Sequence, residues 1–284
     1  MWLPKKASFS SIIKDIKSLK IQGANNVAMA GIKALNLKSD KESIKKILEA
    51  RPTEPCLYNS VNFTLIDLKK NYPLALNHLK NANEKIAKIG SNIIKKKSIV
   101  YTHCHSTTVT GILKKARKKK NFEVYNTETR PLYQGRKTAE ELAKNNIHVT
   151  HFVDSAMKHA VREADLILLG CDSILSDGRI INKIGSSTIA TLAEKYDTPL
   201  YICTNSWKFD ALAIMGNMTE IEQRSPDEVW KKKLKNLKIK NPAFDIIDKK
   251  DITGIISEMG VLSPSTFMNQ LLIVYPWIKN KIKL

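Results

Sequence analysis

From Ser98 to Thr204 short β-branched runs alternate with helical stretches, and that alternation confines the chain to very few folds. The runs are Ser98–Thr102, Phe122–Asn126, His148–Val153, Leu166–Gly170 and Pro199–Thr204. Between them, helical spacing predicts helices over Thr108–Lys119, from near Thr138 to Lys144, over Ser155–Glu163 and over Gly185–Lys195. Leu166–Gly170 is the most apolar run, as a central parallel strand buried on both faces should be. Strands alternating with helices predict an α/β fold with a doubly wound, mainly parallel, Rossmann-like sheet. Asp177-Gly178 predicts a tight turn between two short extended segments.

Before about Lys95 no strand-like alternation occurs. Ser8–Leu19, Asn26–Leu37, Asp40–Ala50, Asn59–Leu68 and Leu74–Ile89 carry apolar residues at helical spacing. Ser39 or Asp40 is suited to cap the third, while Pro52 and Pro73 should punctuate the helices. The expected organisation is a helical N-terminal domain over residues 1–95 and a Rossmann-like α/β catalytic domain over 96–284.

The 284 residues carry a formal net charge of +20, which favours anionic partners such as phosphate esters or nucleic acid. Much of this charge sits in lysine runs such as Lys95–Lys97, Lys118–Lys120 and Lys231–Lys233, with few interleaved arginines or aromatics. Solvated surface is therefore favoured over nucleic-acid binding. No apolar run approaches the roughly 18 residues of a membrane span. Met1–Lys6 lacks a secretory signal's apolar stretch, so the expected location is cytoplasmic. Cys56, Cys104, Cys171 and Cys203 have no paired spacing and no zinc-type cluster with histidine. His103 and His105 would point away from Cys104 on a strand, and no metal site is expected.

Ligands of an open parallel sheet bind beyond the carboxyl ends of its strands. There the chain places His103-Cys104-His105-Ser106, Thr127–Arg130, Asp154-Ser155, Gly170-Cys171-Asp172-Ser173 and Thr204-Asn205-Ser206. Cys104 precedes a helix, whose N-terminus should lower a thiol pKa and suit it to proton abstraction. Asp172 ends an apolar strand, where partial desolvation suits a carboxyl to acid catalysis. Each has a plain structural alternative: a small buried hydrophobe for Cys104 and a turn carboxylate for Asp172. Cys171 should face the core, and Glu128 and Asp154 read as scaffolding. Asn182-Lys183-Ile184-Gly185 opens a helix, where a lysine beside free N–H groups could grip phosphate. Lys208, between Trp207 and Phe209, and Arg51 of Arg51-Pro52-Thr53 could reach the same site.

Taken together, these segments resemble one superfamily. They are Thr102–Ser106, Thr127–Pro131 with Gln134-Gly135, Asp154–Ala156, Gly170–Asp172, Asn182–Gly185, Asn241–Asp245 and Arg51–Thr53. That superfamily contains methylthioribose-1-phosphate isomerases, ribose-1,5-bisphosphate isomerases and the regulatory subunits of translation initiation factor 2B. Trp207-Lys208-Phe209 and the short chain are most similar to the archaeal ribose-1,5-bisphosphate isomerases. The resemblance implies a Rossmann-like fold, an aldose–ketose isomerase acting on a small phosphorylated sugar without cofactor, and a homo-oligomer, either a dimer or a trimer of dimers. It places proton abstraction on Cys104 and proton donation on Asp172. Substrate contacts would fall on Gln22, Gly23, Ala24, Asn25, Arg51, Ser106, Thr107, Thr108, Asn182, Lys183 and Lys208.

The chain departs from the pattern where an arginine is usual at Gln22 and a lysine at Thr107. Losing one such charged contact should weaken binding by about 1.5–3 kcal/mol, roughly ten- to a hundredfold. Two other readings stay open. A non-catalytic, initiation-factor-2B-like binding protein would explain Gln22, Thr107 and the basic charge, and an isomerase of methylthioribose 1-phosphate would keep the chemistry with another sugar.

Overall fold

The computed structural model describes residues 7–210 and 221–282. Five helices come first: α1 (Phe9–Lys17), α2 (Ala24–Leu37), α3 (Lys41–Glu49), α4 (Pro55–Ile66) and α5 (Leu68–Ser91). Ser8 caps α1 and Asp40 caps α3, each accepting from the backbone N–H three residues on. Pro73 corrects an expectation: it lies inside α5 rather than ending a helix. It falls in the second turn of a 24-residue helix, where one lost backbone hydrogen bond does not break the element.

The alternating part follows: β1 (Ile99–Thr102), α6 (Thr107–Arg117), β2 (Glu123–Thr127), α7 (Gln134–Lys144), β3 (His148–Phe152), α8 (Met157–Glu163), β4 (Leu166–Leu169), β5 (Ser173–Ile174), β6 (Ile180–Lys183), α9 (Ser186–Lys195) and β7 (Leu200–Cys203). The chain then adds β8 (Phe244–Ile247), β9 (Gly254–Ser257), β10 (Gly260–Leu262) and α10 (Pro264–Val274). The main sheet runs β10-β9-β7-β4-β1-β2-β3, parallel except for β10. An antiparallel trio, β5-β6-β8, stands apart from it. The predicted doubly wound, mainly parallel sheet is thus present, and its strand order reverses direction between β1 and β4.

Strand alternation divides the core. Tyr101, Ile167 and Leu169 face a cluster built with Ala160 and Val161 of α8, Ile189 and Ala193 of α9, and Phe267 and Leu271 of α10. Val100, Leu166 and Leu168 face the opposite cluster, with Val109 and Ile112 of α6 and Ala82 and Ile86 of α5. A third cluster joins α1–α5 and takes in Trp207 from beyond β7. Helix α5 contributes Ala75 and Leu79 to this third cluster and Ala82 and Ile86 to the second, so it ties the helical layer to the sheet. Lys120, from one lysine run, donates to the carbonyls of Ser91, Asn92 and Ile94 and thereby caps α5.

Candidate active site

The reversal between β1 and β4 opens a crevice at the carboxyl ends of these strands, where open α/β sheets take their ligands. Cys104 lies just past β1 and Asp172 just past β4. The strand stops at Thr102, so the alternation argument for His103 and His105 does not hold. Cys104 instead adopts a left-handed backbone, φ +65°. Its N–H donates to Thr129 Oγ1 at 3.0 Å, and its carbonyl accepts from Thr138 Oγ1 at 2.7 Å. His103 is buried between Thr127 Oγ1 (2.7 Å) and the Ile184 carbonyl (2.9 Å), and burial holds it below the usual histidine pKa. No cluster of metal-ligating side chains occurs among the described residues.

The thiol corrects a second expectation. Burial pushes Cys104 up to about 11, and the nearby Lys183 ammonium only partly offsets it. Cys104 stands ahead of Ser106, the residue that caps α6, so desolvation outweighs the helix terminus. The charge of Asp172 also raises Cys104, which puts carboxyl and thiol in one electrostatic neighbourhood.

Gly170 brings further predicted residues together. A Cβ there would lie 2.9 Å from Ser106 Cβ and 3.6 Å from Asn182 Oδ1, so only glycine lets the ends of β4, β1 and β6 close on one another. Ser106 accepts from Val109 N–H, and Asn182 donates to Ser186 Oγ at 2.9 Å. The lysine beside Asn182 lies over the Phe244 ring, with Lys183 Nζ 4.8 Å from its centroid. A third correction concerns α9. Its N-terminal N–H groups are not free: Asp245 Oδ2 accepts from Gly185 at 2.7 Å and from Ser187 at 3.2 Å. Any phosphate grip here belongs to the Lys183 side chain rather than the helix terminus.

Lys208 Nζ donates to the Cys171 carbonyl, beside Asp172. Burial works against its charge, yet the surrounding Cys171, Asp172 and Glu54 hold it above the ordinary lysine value. Arg51 lies in the turn after α3, and its charge is felt by Glu54. Asn25 reaches the site's scaffold: Asn205 Nδ2 donates to Asn25 Oδ1 at 3.3 Å, and Asn25 Nδ2 donates to the Leu79 carbonyl at 3.4 Å. Its side chain is thus engaged internally. Gly23, φ +85°, opens α2 and, as glycine, offers no side-chain cap to the helix's first N–H groups. Gln22 and Thr107 are exposed, and Thr108 donates to Asn83 Oδ1 at 3.4 Å.

Three scaffolding expectations hold. Cys171 is buried in the core. Asp154 accepts from the N–H groups of Thr129 (2.8 Å) and Arg130 (2.6 Å), and Glu128 pairs with Arg136 at 2.7 Å. Two carboxylates escaped the sequence reading. Glu54, at the start of α4, is raised to about 7 by burial, with the Asp172 charge adding to the rise and the Lys208 and Arg51 charges opposing it. Glu258 accepts from Ser206, the residue that opens the short turn carrying Lys208. Both resemble ordinary helix-start or turn carboxylates in the sequence, and their partners are remote along the chain.

A thiol, a carboxyl and cations gathered at the switch point of a parallel sheet make this an α/β protein whose candidate site has groups suited to acid–base chemistry on an anionic ligand. The chain belongs to the initiation factor 2 subunit family, whose model matches residues 18–264. It is 36% identical over 289 residues to the ribose 1,5-bisphosphate isomerase of Methanocaldococcus jannaschii, covering 91% of this chain and 94% of that one. It is 33% identical over 290 residues to a putative methylthioribose-1-phosphate isomerase of Methanosphaera stadtmanae, covering 90% of each. The crystal structure of a Pyrococcus horikoshii OT3 translation initiation factor, eIF-2B, superposes with a TM-score of 0.80 at 28% identity, covering 94% of this chain and all of that one.

Proposed function

We propose that the protein is an aldose–ketose isomerase that converts ribose 1,5-bisphosphate to ribulose 1,5-bisphosphate. The observation that carries the reading is the pairing of Cys104 and Asp172 at the strand-order reversal, with Lys183 beside the thiol and Lys208 beside the carboxyl. The names and coverage of the M. jannaschii relative support the substrate.

The chemistry follows from the sugar. A phosphate on the anomeric oxygen prevents spontaneous opening to a free aldehyde. Cys104 takes the C2 proton while the bond between C1 and the ring oxygen breaks, and Asp172 protonates the departing oxygen. The resulting enol loses its O2 proton and gains a proton at C1, which leaves the carbonyl at C2. Cys104 acts from its thiolate form, the one able to accept a proton, and the Lys183 ammonium favours that form. Arg51, Lys183, Lys208, Ser106, Thr107, Asn182 and the α2 start at Gln22–Asn25 supply phosphate and hydroxyl contacts, with Thr108 supporting the α6 start. On this reading the helical segment through residue 95 provides Arg51 and the α2 start, and the α/β segment from residue 96 provides the acid–base pair. A homo-oligomer, dimeric or a trimer of dimers, goes with the same reading and is checked by sedimentation.

Purified protein incubated with a panel of phosphorylated sugars should convert ribose 1,5-bisphosphate to the ketose, identified by NMR, and Cys104→Ser should abolish turnover. Binding across the panel without conversion would favour a regulatory protein instead. Preferential conversion of methylthioribose 1-phosphate would move the substrate.

A further inference from the structure

We propose that Glu54 couples phosphate-ester binding to uptake of a proton, and so sets how the site's affinity for a doubly charged phosphate changes with pH. The inference rests on the sugar-phosphate reading above and adds a residue that reading does not use.

Glu54 occupies the cap position of α4, followed by Pro55, yet its side chain makes no capping hydrogen bond. A carboxylate at a helix start normally accepts from the helix's own N–H groups. Glu54 is instead partly buried in the tight turn that begins at Arg51, its N–H bonded to the Arg51 carbonyl at 3.2 Å. Helix α4 is locked to the Lys208 turn. Asn59 Nδ2 donates to the carbonyls of Trp207 (2.9 Å) and Phe209 (2.6 Å), the two residues that flank Lys208. Lys208 in turn reaches the Cys171 carbonyl beside Asp172. This connected frame sets the Glu54 carboxylate among Arg51, Lys208 and Asp172.

The electrostatics give it a task. Arg51 comes from Glu54's own turn, Cys56 from α4, Cys171 and Asp172 from beyond β4, and Lys208 from beyond β7. Lys208 is held above the usual lysine value, and burial pushes the Cys56 and Cys171 thiols up, so these keep their charge state between pH 7 and 9. Glu54, raised to about 7 by burial, changes charge in that window. A phosphate monoester has its second ionisation near pH 6 and is already a dianion there. A dianion drawn to Arg51 and Lys208 meets an ionised Glu54 as a like charge, and binding therefore favours the protonated form. Affinity then falls as pH rises above about 7, by up to about tenfold per pH unit.

The test compares the full-length wild type with Glu54→Gln, which keeps the shape and removes the charge, and with Glu54→Asp, which keeps the charge. Calorimetry with inorganic phosphate, in buffers of different ionisation enthalpy at pH 7.5, reports protons taken up on binding. The KM for ribose 1,5-bisphosphate from pH 7 to 9 reports the same coupling during turnover. Because inorganic phosphate itself loses part of a proton on binding as the dianion, the readout is the difference between variants: wild type and Glu54→Asp should take up a fraction of a proton more than Glu54→Gln and show a rising KM, while Glu54→Gln should show a flat KM. Equal uptake and equal slope in wild type and Glu54→Gln would overturn the proposal. Failure to turn over ribose 1,5-bisphosphate would remove the substrate assignment, while the phosphate calorimetry would still decide the role of Glu54.

Discussion

Glu258 accepts two hydrogen bonds from Ser206, one from its backbone N–H at 3.2 Å and one from its hydroxyl. Ser206 opens the turn that carries Lys208, so the carboxylate anchors the lysine from behind. Tyr275 OH donates at 3.4 Å to Oε1, the oxygen that also accepts from the Ser206 hydroxyl, and His78 stacks on Trp207 with ring centroids 4.0 Å apart. Burial keeps His78 below its usual pKa, so the imidazole is neutral at pH 7 and donates Nε2–H to Asn205. Glu258→Gln should lower stability by about 1.5–3 kcal/mol, the range for a lost charge-assisted bond, and raise KM more than it changes kcat. An unchanged denaturation midpoint with an unchanged KM would contradict the anchoring role.

Glu54 also imposes a pH dependence on folding. Its ordinary value is 4.5 and burial raises it to about 7, so between these values the folded protein keeps a proton that the unfolded chain has released. Its contribution to stability is complete below about pH 4.5 and is lost as pH rises through about 7. Glu54→Gln removes that loss. The variant's urea midpoint should gain on the wild type's between pH 5 and pH 8. A gap that is the same at both pH values would show that the carboxyl does not titrate in this window.

Cys104 is the one cysteine of the four that is only partly buried. Its thiol is raised to about 11, so thiolate is scarce at pH 7 and increases about tenfold per pH unit up to that value. Alkylation by iodoacetamide should fall on Cys104 first, with a rate that climbs from pH 7.5 to 10. Lys183→Met removes the charge that favours the thiolate and should slow the reaction at each pH. Mass-spectrometric site mapping over a pH series checks this, and a rate that levels off near pH 7 would contradict it.

The central strands were legible because each is a compact apolar run and β4 is apolar throughout. Their order was not, since pairing partners such as β7 and β9 are far apart in the chain. Without that order the crevice between β1 and β4 could not be located, although Cys104 and Asp172 were already singled out. Short C-terminal strands such as Gly260–Leu262 carry too few residues for a periodicity. The α9 start reads as a free phosphate grip in the sequence because its occupant, Asp245, is 60 residues away. The raised thiol of Cys104 escaped for a similar reason, since desolvation depends on what packs around a group and not on its neighbours along the chain.

Gly170 leaves no room for a side chain at the site. Its missing Cβ would lie 2.9 Å from Ser106 Cβ, closer than real Cβ atoms come, and 3.0 Å from Ser106 Oγ, itself a tight contact. Ser106 cannot retreat without giving up its bond to Val109 N–H, because it caps α6. Gly170→Ala should therefore combine overpacking, about 1–3 kcal/mol, with a weakened cap, about 1 kcal/mol. Either displacement shifts the loop from Cys104 to Ser106 relative to Asp172, and turnover should fall further than stability alone explains. Adding Ser106→Gly to Gly170→Ala relieves the clash while leaving the cap empty. The double variant should regain stability over Gly170→Ala, measured by thermal unfolding. If the two variants melt together, the contact between Gly170 and Ser106 does not limit packing at this edge.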